Sequence, residues 1–287
     1  MVFNDLDAFL DRAARERRDA PLALVFLEDG RAAGATVQHL RRLGFARIAV
    51  LGAPHHALDP AHATHVDRIR YDATVPGAVA AAVDAVTAAT PGRWIHYCFN
   101  AEFLFFPFCE SRSIRDLVTF VETERRASVL TFVVDLYAGD LAAHPDGVAP
   151  EDAHMDRAGY FALPRRTAAG HPRERQLDFY GGLKFRFEEH VPPARRRIDR
   201  VGLFRAAPGL RLGDDHRFNI QEYNTYACPW HNNVTAAICS FRSAKALRAN
   251  PGSRFEIGRF TWDHSVRFEW RAQQLMDLGL MEPGQWF

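Results

Sequence analysis

Short runs of hydrophobic residues alternate with helical patterns along the first half of the chain. Residues 22–27 and 46–52 are continuous apolar runs that end in turn-forming residues, a pattern typical of buried strands. Between these runs, residues 37–45 place their apolar side chains at helical spacing on one face. The order strand, helix, strand predicts a β-α-β unit.

The same alternation continues as far as residue 140. We predict further strands over residues 66–72, 93–99 and 129–140, and helices over residues 6–13, 78–89 and 113–126. Parallel strands that alternate with helices are covered on both faces. The pattern therefore favours an α/β fold, a three-layer α/β/α sandwich with a mostly parallel central sheet. Ligands of such sheets bind beyond the carboxyl ends of the strands.

The second half of the chain has a weaker pattern. Residues 144–175 are rich in Pro, Gly, Asp and Arg and are expected to form a long excursion, in which only residues 160–164 resemble a strand. After it, we predict a strand over residues 201–206 and helices over residues 235–250 and near 267–278. We expect one domain that includes residues 1–287.

The positive and negative charges nearly balance, with 36 Lys and Arg against 35 Asp and Glu and a net charge of +1. A chain without excess charge has no bulk field to attract nucleic acid or an anionic membrane, so we expect neither partner. Lys184 and Lys245 are the only lysines, so arginine supplies the other 34 basic residues. Arginine grips phosphate and carboxylate groups with a planar fork, although richness in Arg is also typical of GC-rich bacterial genomes.

The sequence carries no sign of export or membrane insertion. Its first 19 residues are charged throughout, and no later apolar run is long enough to span a bilayer. The cysteines lack the close spacing of a zinc ribbon or of a disulfide framework: Cys98, Cys109, Cys228 and Cys239. These features favour a cytoplasmic protein without a transmembrane segment.

One segment resembles a known family. The predicted strand at 93–99 runs into Asn100-Ala101-Glu102, then into Phe103-Leu104 and, after two more aromatic residues, Pro107. This order resembles the strand end of family 2-like glycosyltransferases of the GT-A fold, in which Asp-x-Asp-Glu-Phe and Leu are followed by apolar residues and Pro. The resemblance covers roughly residues 20–140. It implies a GT-A-like fold and the transfer of a sugar from a nucleotide-sugar donor to a glycan or other hydroxyl acceptor.

The resemblance also divides the chain by role. Residues 1–140 would form the nucleotide-sugar-binding half and residues 141–287 the acceptor side. In the family, two aspartates hold a divalent cation, Mn²⁺ or Mg²⁺, against the diphosphate, since these ions prefer carboxylate and phosphate oxygens. Here Phe99 and Ala101 stand in place of those aspartates. Glu102 is left, with Asn100, as the candidate metal ligand.

Three explanations of this departure are open. Transfer is metal-independent and arginines neutralise the diphosphate, or other carboxylates hold the metal, or the fold is kept while catalysis is lost. The last explanation gives the alternative function, a non-catalytic GT-A-like protein that binds a carbohydrate or a partner.

Donor binding is assigned to polar residues at the predicted strand ends and to one arginine run. The strand-end residues are Glu28, Asp29, Asp72, Asn100 and Glu102. Arg195 and Arg196 are the candidates to clamp a diphosphate. A solvated turn is the alternative for both the acidic step at residues 28–29 and the arginine run.

Transfer with inversion needs a base that deprotonates the acceptor hydroxyl. The candidates are Asp135, within a predicted strand, and Glu189 and His190, which follow an aromatic-rich segment. The alternatives are a strand-end cap for Asp135 and a surface turn for the other two residues.

Residues 219–233 are crowded with amides and aromatic rings, the groups that bind sugar hydroxyls and apolar sugar faces. Acceptor binding is assigned there to Asn224, Trp230, His231 and Asn232. The alternative is a buried polar loop whose amides cap the next helix. The histidines of residues 55–65 lack an acidic partner with a recognised spacing and favour a loop over a metal site.

Overall fold

The computed structural model describes residues 1–16, 20–56, 58, 60–63, 66–226 and 232–286. The chain is a mixed α/β protein made of two compact units. Unit 1 comprises Met1–Phe103, Cys109–Val129 and Val201–Asn224, and unit 2 comprises Leu104–Phe108, Leu130–Arg200 and Thr225–Phe287. Each unit is thus built from separate segments of the chain.

The strands are β1 Val2–Phe3, β2 Leu22–Phe26, β3 Arg47–Gly52, β4 Asp67–Arg70, β5 Trp94–Phe99, β6 Glu102–Phe105, β7 Ser128–Ala138, β8 Ala153–Asp156, β9 Phe161–Arg166, β10 Pro172–Tyr180, β11 Asp199–Arg205, β12 Ala236–Ser240 and β13 Ser265–Arg267. The helices are α1 Leu6–Ala13, α2 Ala33–Arg42, α3 Pro60–Ala63, α4 Ala78–Ala89, α5 Ile114–Thr123, α6 Leu183–Arg186, α7 Arg242–Ala249, α8 Pro251–Arg254 and α9 Ala272–Asp277.

Unit 1 contains a sheet with the spatial strand order β1-β4-β3-β2-β5-β11. Strands β1 to β5 pair in parallel along this order, whereas β11 runs antiparallel to β5. Every residue of β2 is buried, because a parallel strand covered on both faces has no solvent side for polar residues. The predicted β-α-β unit is confirmed by β2, α2 and β3.

The order of the strands reverses beside β2. The chain passes from β2 to β3 and on to β4 on one side, and then returns to place β5 on the other side of β2. The carboxyl ends of β2 and β5 therefore define the topological switch point of this sheet. In open α/β sheets this is where ligands bind.

Helix α5 shows how the sequence fixes an element boundary. The Ser113 hydroxyl accepts a hydrogen bond from the Asp116 N–H at 3.3 Å, and the Asp116 carboxylate accepts one from the Ser113 N–H at 2.7 Å. This reciprocal capping satisfies two amide groups that the first turn leaves unpaired. The side chains predicted to form the buried face of the helix are buried: Ile114, Leu117, Val118 and Val121.

Unit 2 is organised around β7, whose eleven residues are all buried. Strand β12 pairs with β7 in parallel, β8 pairs with it antiparallel, and β13 pairs antiparallel with β8. Strands β9 and β10 form a separate antiparallel hairpin. A hydrophobic cluster that includes Tyr137, Leu183, Leu247 and Phe260 packs α6 and α7 against the end of β7.

Two predictions for this half of the chain were wrong. Residues 236–240 form β12 and only residues 242–249 form a helix. All five residues of β12 are buried, and a short apolar run with this burial has no period that separates strand from helix. Residues 144–175 contain β8, β9 and the start of β10. Few side chains of β9 and β10 are buried, so these two strands show no alternation of buried and exposed positions.

The part of the chain that the structure describes contains no helix that is long and apolar enough to cross a membrane.

A substitution at Gly52 tests the packing of β3 against β2. A Cβ atom at Gly52 would lie 2.8 Å from Cβ of Leu27, which has no room to move because it sits next to the backbone. We expect Gly52→Ala to lower the free energy of unfolding by about 1–3 kcal/mol through overpacking. Urea denaturation measures the change. The matched control is Gly258→Ala, whose Cβ would meet nothing within 4 Å. If both variants unfold at the same urea concentration, this packing argument is wrong.

Candidate functional site

The loops that follow β2 and β5 are joined by the side chain of Asn100. Its Oδ1 accepts a hydrogen bond from the N–H of Glu28 at 2.9 Å. Its Nδ2 donates to Oδ1 of Asp29 at 2.6 Å and to the carbonyl of Arg31 at 3.0 Å. Asn100 is 0% exposed, so its amide holds the two loops in place. The structure thus brings Glu28, Asp29 and Asn100 together at the switch point.

Two alanines at these loops have left-handed backbone conformations. Ala32, which precedes α2, has φ = 50°, and Ala101, which follows Asn100, has φ = 60°. For a residue with a Cβ atom this conformation costs roughly 1–2 kcal/mol. Such a cost persists only where the surrounding structure fixes the backbone, and strained residues of this kind cluster at binding and catalytic sites.

Glu102 does not fit the role of a metal ligand. It is 1% exposed, and its Oε2 accepts a hydrogen bond from the N–H of Phe99 at 2.9 Å. The amide oxygen of Asn100 is likewise engaged, with the N–H of Glu28. Within the described ranges, no group of three or more His, Cys, Asp or Glu side chains is placed to hold a metal ion. Both candidate side chains thus make hydrogen bonds with backbone N–H groups of unit 1, whereas Mg²⁺ and Mn²⁺ take several oxygen ligands.

The N-terminus of α2 lies at the same switch point. Its N-cap is Ala32, and no side chain caps it among the described residues. Arg31, whose side chain is half exposed, is held by Asp29 at 3.6 Å. A helix N-terminus with amide N–H groups and a nearby guanidinium is suited to bind phosphate. The sequence alone does not single out Arg31, because the chain contains 34 arginines. Its position in the turn that follows β2 is the signal that could have identified it.

Gly34 leaves space for the ring of His62 beside the first turn of α2. A Cβ atom at this position would lie 2.5 Å from Cδ2 of His62, a residue of α3. His62 therefore packs against the start of α2.

Asp72 lies in the loop after β4 and is exposed. Its Oδ1 accepts hydrogen bonds from the Thr74 hydroxyl at 2.6 Å and from the Thr74 N–H at 3.0 Å. These hydrogen bonds, and to a smaller extent the nearby His56 and His55, lower the pKa of the Asp72 carboxyl. Asp72 thus remains ionised and shapes its own turn.

No protein-family model and no curated protein matches this chain.

In unit 2, Asp135 is a buried carboxyl group in β7, with 1% of its surface exposed. The backbone N–H of Lys184 donates to its Oδ2 at 3.4 Å, a long contact. Its Oδ1 is buried and accepts no hydrogen bond from the described residues. Burial raises the pKa of Asp135 above the usual value for an aspartate, although the positive charge of Lys184 and a hydrogen bond from the Ser243 side chain oppose the shift. A carboxyl group with a raised pKa is suited to accept a proton near neutral pH.

A second buried carboxylate, Asp156 of β8, is by contrast fully engaged. Its Oδ1 accepts from the Tyr137 hydroxyl at 2.5 Å and from Nε1 of Trp262 at 2.7 Å. The Arg186 guanidinium donates to both carboxylate oxygens, at 2.9 and 3.2 Å. Burial and the negative charge of Asp156 raise the pKa of Tyr137 far above that of a free tyrosine. This network ties β7, β8 and α6 together.

The other two candidate bases lie in a short segment after α6. Glu189 is exposed, and Nε2 of His190 lies 3.2 Å from Glu256 and 3.7 Å from Glu189. Asp135, by contrast, is almost fully buried. Asp135 is therefore the stronger candidate.

The arginine run after α6 is largely committed to neighbouring groups of unit 2. Arg196 donates to the carboxylate of Glu188 at 2.7 Å and to the carbonyl of Val191 at 2.9 Å. Arg197 forms an ion pair with Asp199 at 2.8 Å, and Arg195 is exposed.

Of the predicted acceptor residues, the structure describes Asn224 and Asn232. Asn224 is buried, and its amide accepts from the N–H of Phe218 at 2.9 Å and donates to the Phe218 carbonyl at 2.7 Å. This pairing closes its own loop, as in the buried-loop alternative. Asn232 is exposed, and Trp230 and His231 lie outside the described residues.

Proposed function

We propose that the protein is a glycosyltransferase that transfers a sugar from a nucleotide-sugar donor to a glycan or other hydroxyl acceptor, with a GT-A-like fold. The observation that carries the proposal is the switch point of unit 1. There, the loops after two parallel strands are joined by Asn100 beside an uncapped helix N-terminus and Arg31. The sugar-transfer chemistry comes from the resemblance of residues 99–107 to the family 2-like enzymes.

Unit 1 is assigned the donor diphosphate. The amide N–H groups at the start of α2 point toward an anion, and the helix dipole favours negative charge there. Arg31 supplies a positive charge that forms charge-assisted hydrogen bonds with phosphate oxygens. Because Asn100 and Glu102 are engaged within the protein, no step of this proposal passes through a metal ion.

Unit 2 is assigned the base and the acceptor. Asp135 accepts the proton of the acceptor hydroxyl while the oxygen forms a bond to the anomeric carbon of the donor sugar. The bond between that carbon and the diphosphate oxygen breaks, and the diphosphate leaves with the electron pair. A positioned base accelerates such a step by about 10²–10⁴-fold.

Calorimetry with UDP and with GDP, each in Mn²⁺ and in EDTA, tests the donor site. We expect one of the two nucleotides to bind with a Kd that EDTA does not change. Arg31→Ala should raise that Kd about tenfold, because it removes a charge-assisted hydrogen bond to phosphate.

The matched control is Arg195→Ala, an exposed arginine of unit 2, which should leave nucleotide binding unchanged. The reverse result, loss of binding in Arg195→Ala alone, would move the diphosphate site to the arginine run. If neither nucleotide binds in either buffer, the transferase proposal fails.

The replacement of the family's two aspartates by Phe99 and Ala101 favours a second candidate, the non-catalytic GT-A-like protein that binds a carbohydrate or partner. Neither side chain can ligate a metal ion. Binding of nucleotide and sugar without release of UDP or GDP from any nucleotide-sugar would support this candidate.

A further inference from the structure

Three aromatic rings of unit 2 form an exposed cluster at the base of the β9–β10 hairpin: Phe161, Tyr180 and Phe185. Phe161 stacks on Tyr180, with ring centroids 5.3 Å apart and planes 18° apart. Phe185 of α6 meets Phe161 edge-on at 5.1 Å. Phe161 and Phe185 are 40% and 43% exposed. Exposed apolar groups that cluster in this way mark a site of interaction.

Two polar side chains lie directly beside the end of this hairpin. Gly181 and Gly182 follow Tyr180, and both have φ values in the region that favours glycine, 152° and 64°. The ring of Tyr160 lies against Gly181 so closely that no Cβ atom fits there. A Cβ atom at Gly182 would lie 2.7 Å from Oδ2 of Asp135. The glycine pair thus allows the backbone to approach Tyr160 and Asp135.

Each of these two side chains keeps one polar atom that no described residue engages, although the Asp135 carboxylate also accepts hydrogen bonds from the Lys184 N–H and the Ser243 side chain. The Tyr160 hydroxyl and Oδ1 of Asp135 are both buried and have no hydrogen-bond partner among the described residues. Because a buried polar atom without a partner has lost its hydration without compensation, native proteins rarely keep one without a reason. The ionised carboxylate accepts hydrogen bonds, whereas the phenol also donates one. A hydroxyl group, which donates and accepts, complements the pair.

We propose that this region is a carbohydrate-binding site for a pyranose unit. The rings of Phe161, Tyr180 and Phe185 pack on the apolar C–H face of the sugar, and Asp135 and Tyr160 bind its hydroxyl groups. Aromatic faces suit apolar sugar surfaces, and the buried polar pair fixes the orientation of the bound sugar. The identification of this sugar as the acceptor rests on the proposed transferase function, whereas its binding does not.

Saturation-transfer NMR without any nucleotide tests the site. The probes are cellotetraose, maltotetraose, chitotetraose and mannotetraose. We expect at least one of them to bind the wild-type chain. Phe161→Ala and Phe185→Ala should each raise the Kd of that probe about tenfold through loss of ring contact. Phe161→Tyr should retain binding.

The matched control is Phe255→Ala, which removes a ring that is 79% exposed elsewhere in unit 2. This variant should bind the probe as the wild type does. UDP and GDP binding, measured on the same variants, should be unchanged, which separates a failure of this site from a failure of the donor site.

Three results would overturn the proposal. They are the absence of saturable binding of all four probes at millimolar concentration, equal loss of binding in Phe255→Ala, and retention of full affinity in both alanine variants. Sedimentation with phosphatidylcholine vesicles that contain phosphatidylserine provides a further test. Vesicle binding that depends on Phe161, without oligosaccharide binding, would make the cluster a membrane-contact surface.

Discussion

Replacing Asp156 with alanine is expected to lower the free energy of unfolding by about 3–5 kcal/mol, the largest stability loss we predict. The change removes the hydrogen-bond acceptor of the Tyr137 hydroxyl and of the Trp262 indole. It also leaves the mostly buried Arg186 guanidinium without its carboxylate. A buried charge without a partner retains the full cost of its lost hydration, which is why the expected effect is so large. Urea denaturation at neutral pH measures it.

The matched control is Glu188→Ala, which breaks the ion pair with Arg196 at 2.7 Å. Because both of these side chains have access to solvent, we expect a loss below about 1 kcal/mol. Equal unfolding midpoints for the two variants would show that Asp156 does not stabilise unit 2 in the way described.

Replacing Asp135 with asparagine is expected to reduce sugar transfer by about 10²–10⁴-fold, because the amide cannot accept the acceptor proton. The measurement is the release of UDP or GDP from the donor that calorimetry identifies, with nucleotide binding as the reference. Nucleotide affinity should be unchanged, since the donor is assigned to unit 1. Transfer at the wild-type rate would exclude Asp135 as the base.

Asp135→Asn, which should reduce sugar transfer, should also make the folded protein more stable than the wild type as pH rises. Burial raises the pKa of Asp135 in the folded protein above the ordinary value of 3.8. The unfolded state keeps the ordinary pKa, so at pH values between it and the raised folded-state pKa the folded state binds more protons than the unfolded state. The wild-type free energy of unfolding therefore falls as pH rises through this range. Asparagine does not titrate, so it should become the more stable variant as pH rises through this range. The expected gain is about 1.4 kcal/mol for each unit that separates the two pKa values.

Urea unfolding of both proteins at several pH values, from about pH 4 upward, gives this difference. Parallel stability curves for the wild type and Asp135→Asn would show that Asp135 is not held at a raised pKa.

The first half of the fold follows from local pattern. Strands β2 and β3 and helices α2 and α4 lie where residues 22–52 and 78–89 predict them, because each has one dominant period and clear turn residues at its ends. Strand β12 was predicted as a helix because its five residues are buried throughout and show no strand period. Residues 160–164 were noted as resembling a strand, but the β9–β10 hairpin was not predicted, since few of its side chains are buried and no buried face marks it.

The candidate sites, like the strands, could be predicted from the sequence only in part. Glu28, Asp29 and Asn100 were placed together by a topological rule, since the ends of neighbouring parallel strands meet at one edge. The approach of Gly182 to Asp135 depends on how α6 and the end of β10 pack against β7, and no local pattern contains this information. Asn224 has the composition of a ligand-binding residue, but its amide closes the loop from Phe218. The presence of an asparagine does not by itself show whether its amide binds a ligand or closes a loop.

The hydrogen bonds of the Asn100 side chain restrict the motion of the loops that follow β2 and β5. This side chain connects segments 71 positions apart in the sequence, so neither loop can swing outward without breaking bonds to the same amide. The two loops therefore behave as one rigid piece, and a ligand meets a surface that is already shaped before it arrives. Little ordering entropy remains to be lost on binding, and association is limited by encounter and not by the opening of a gate.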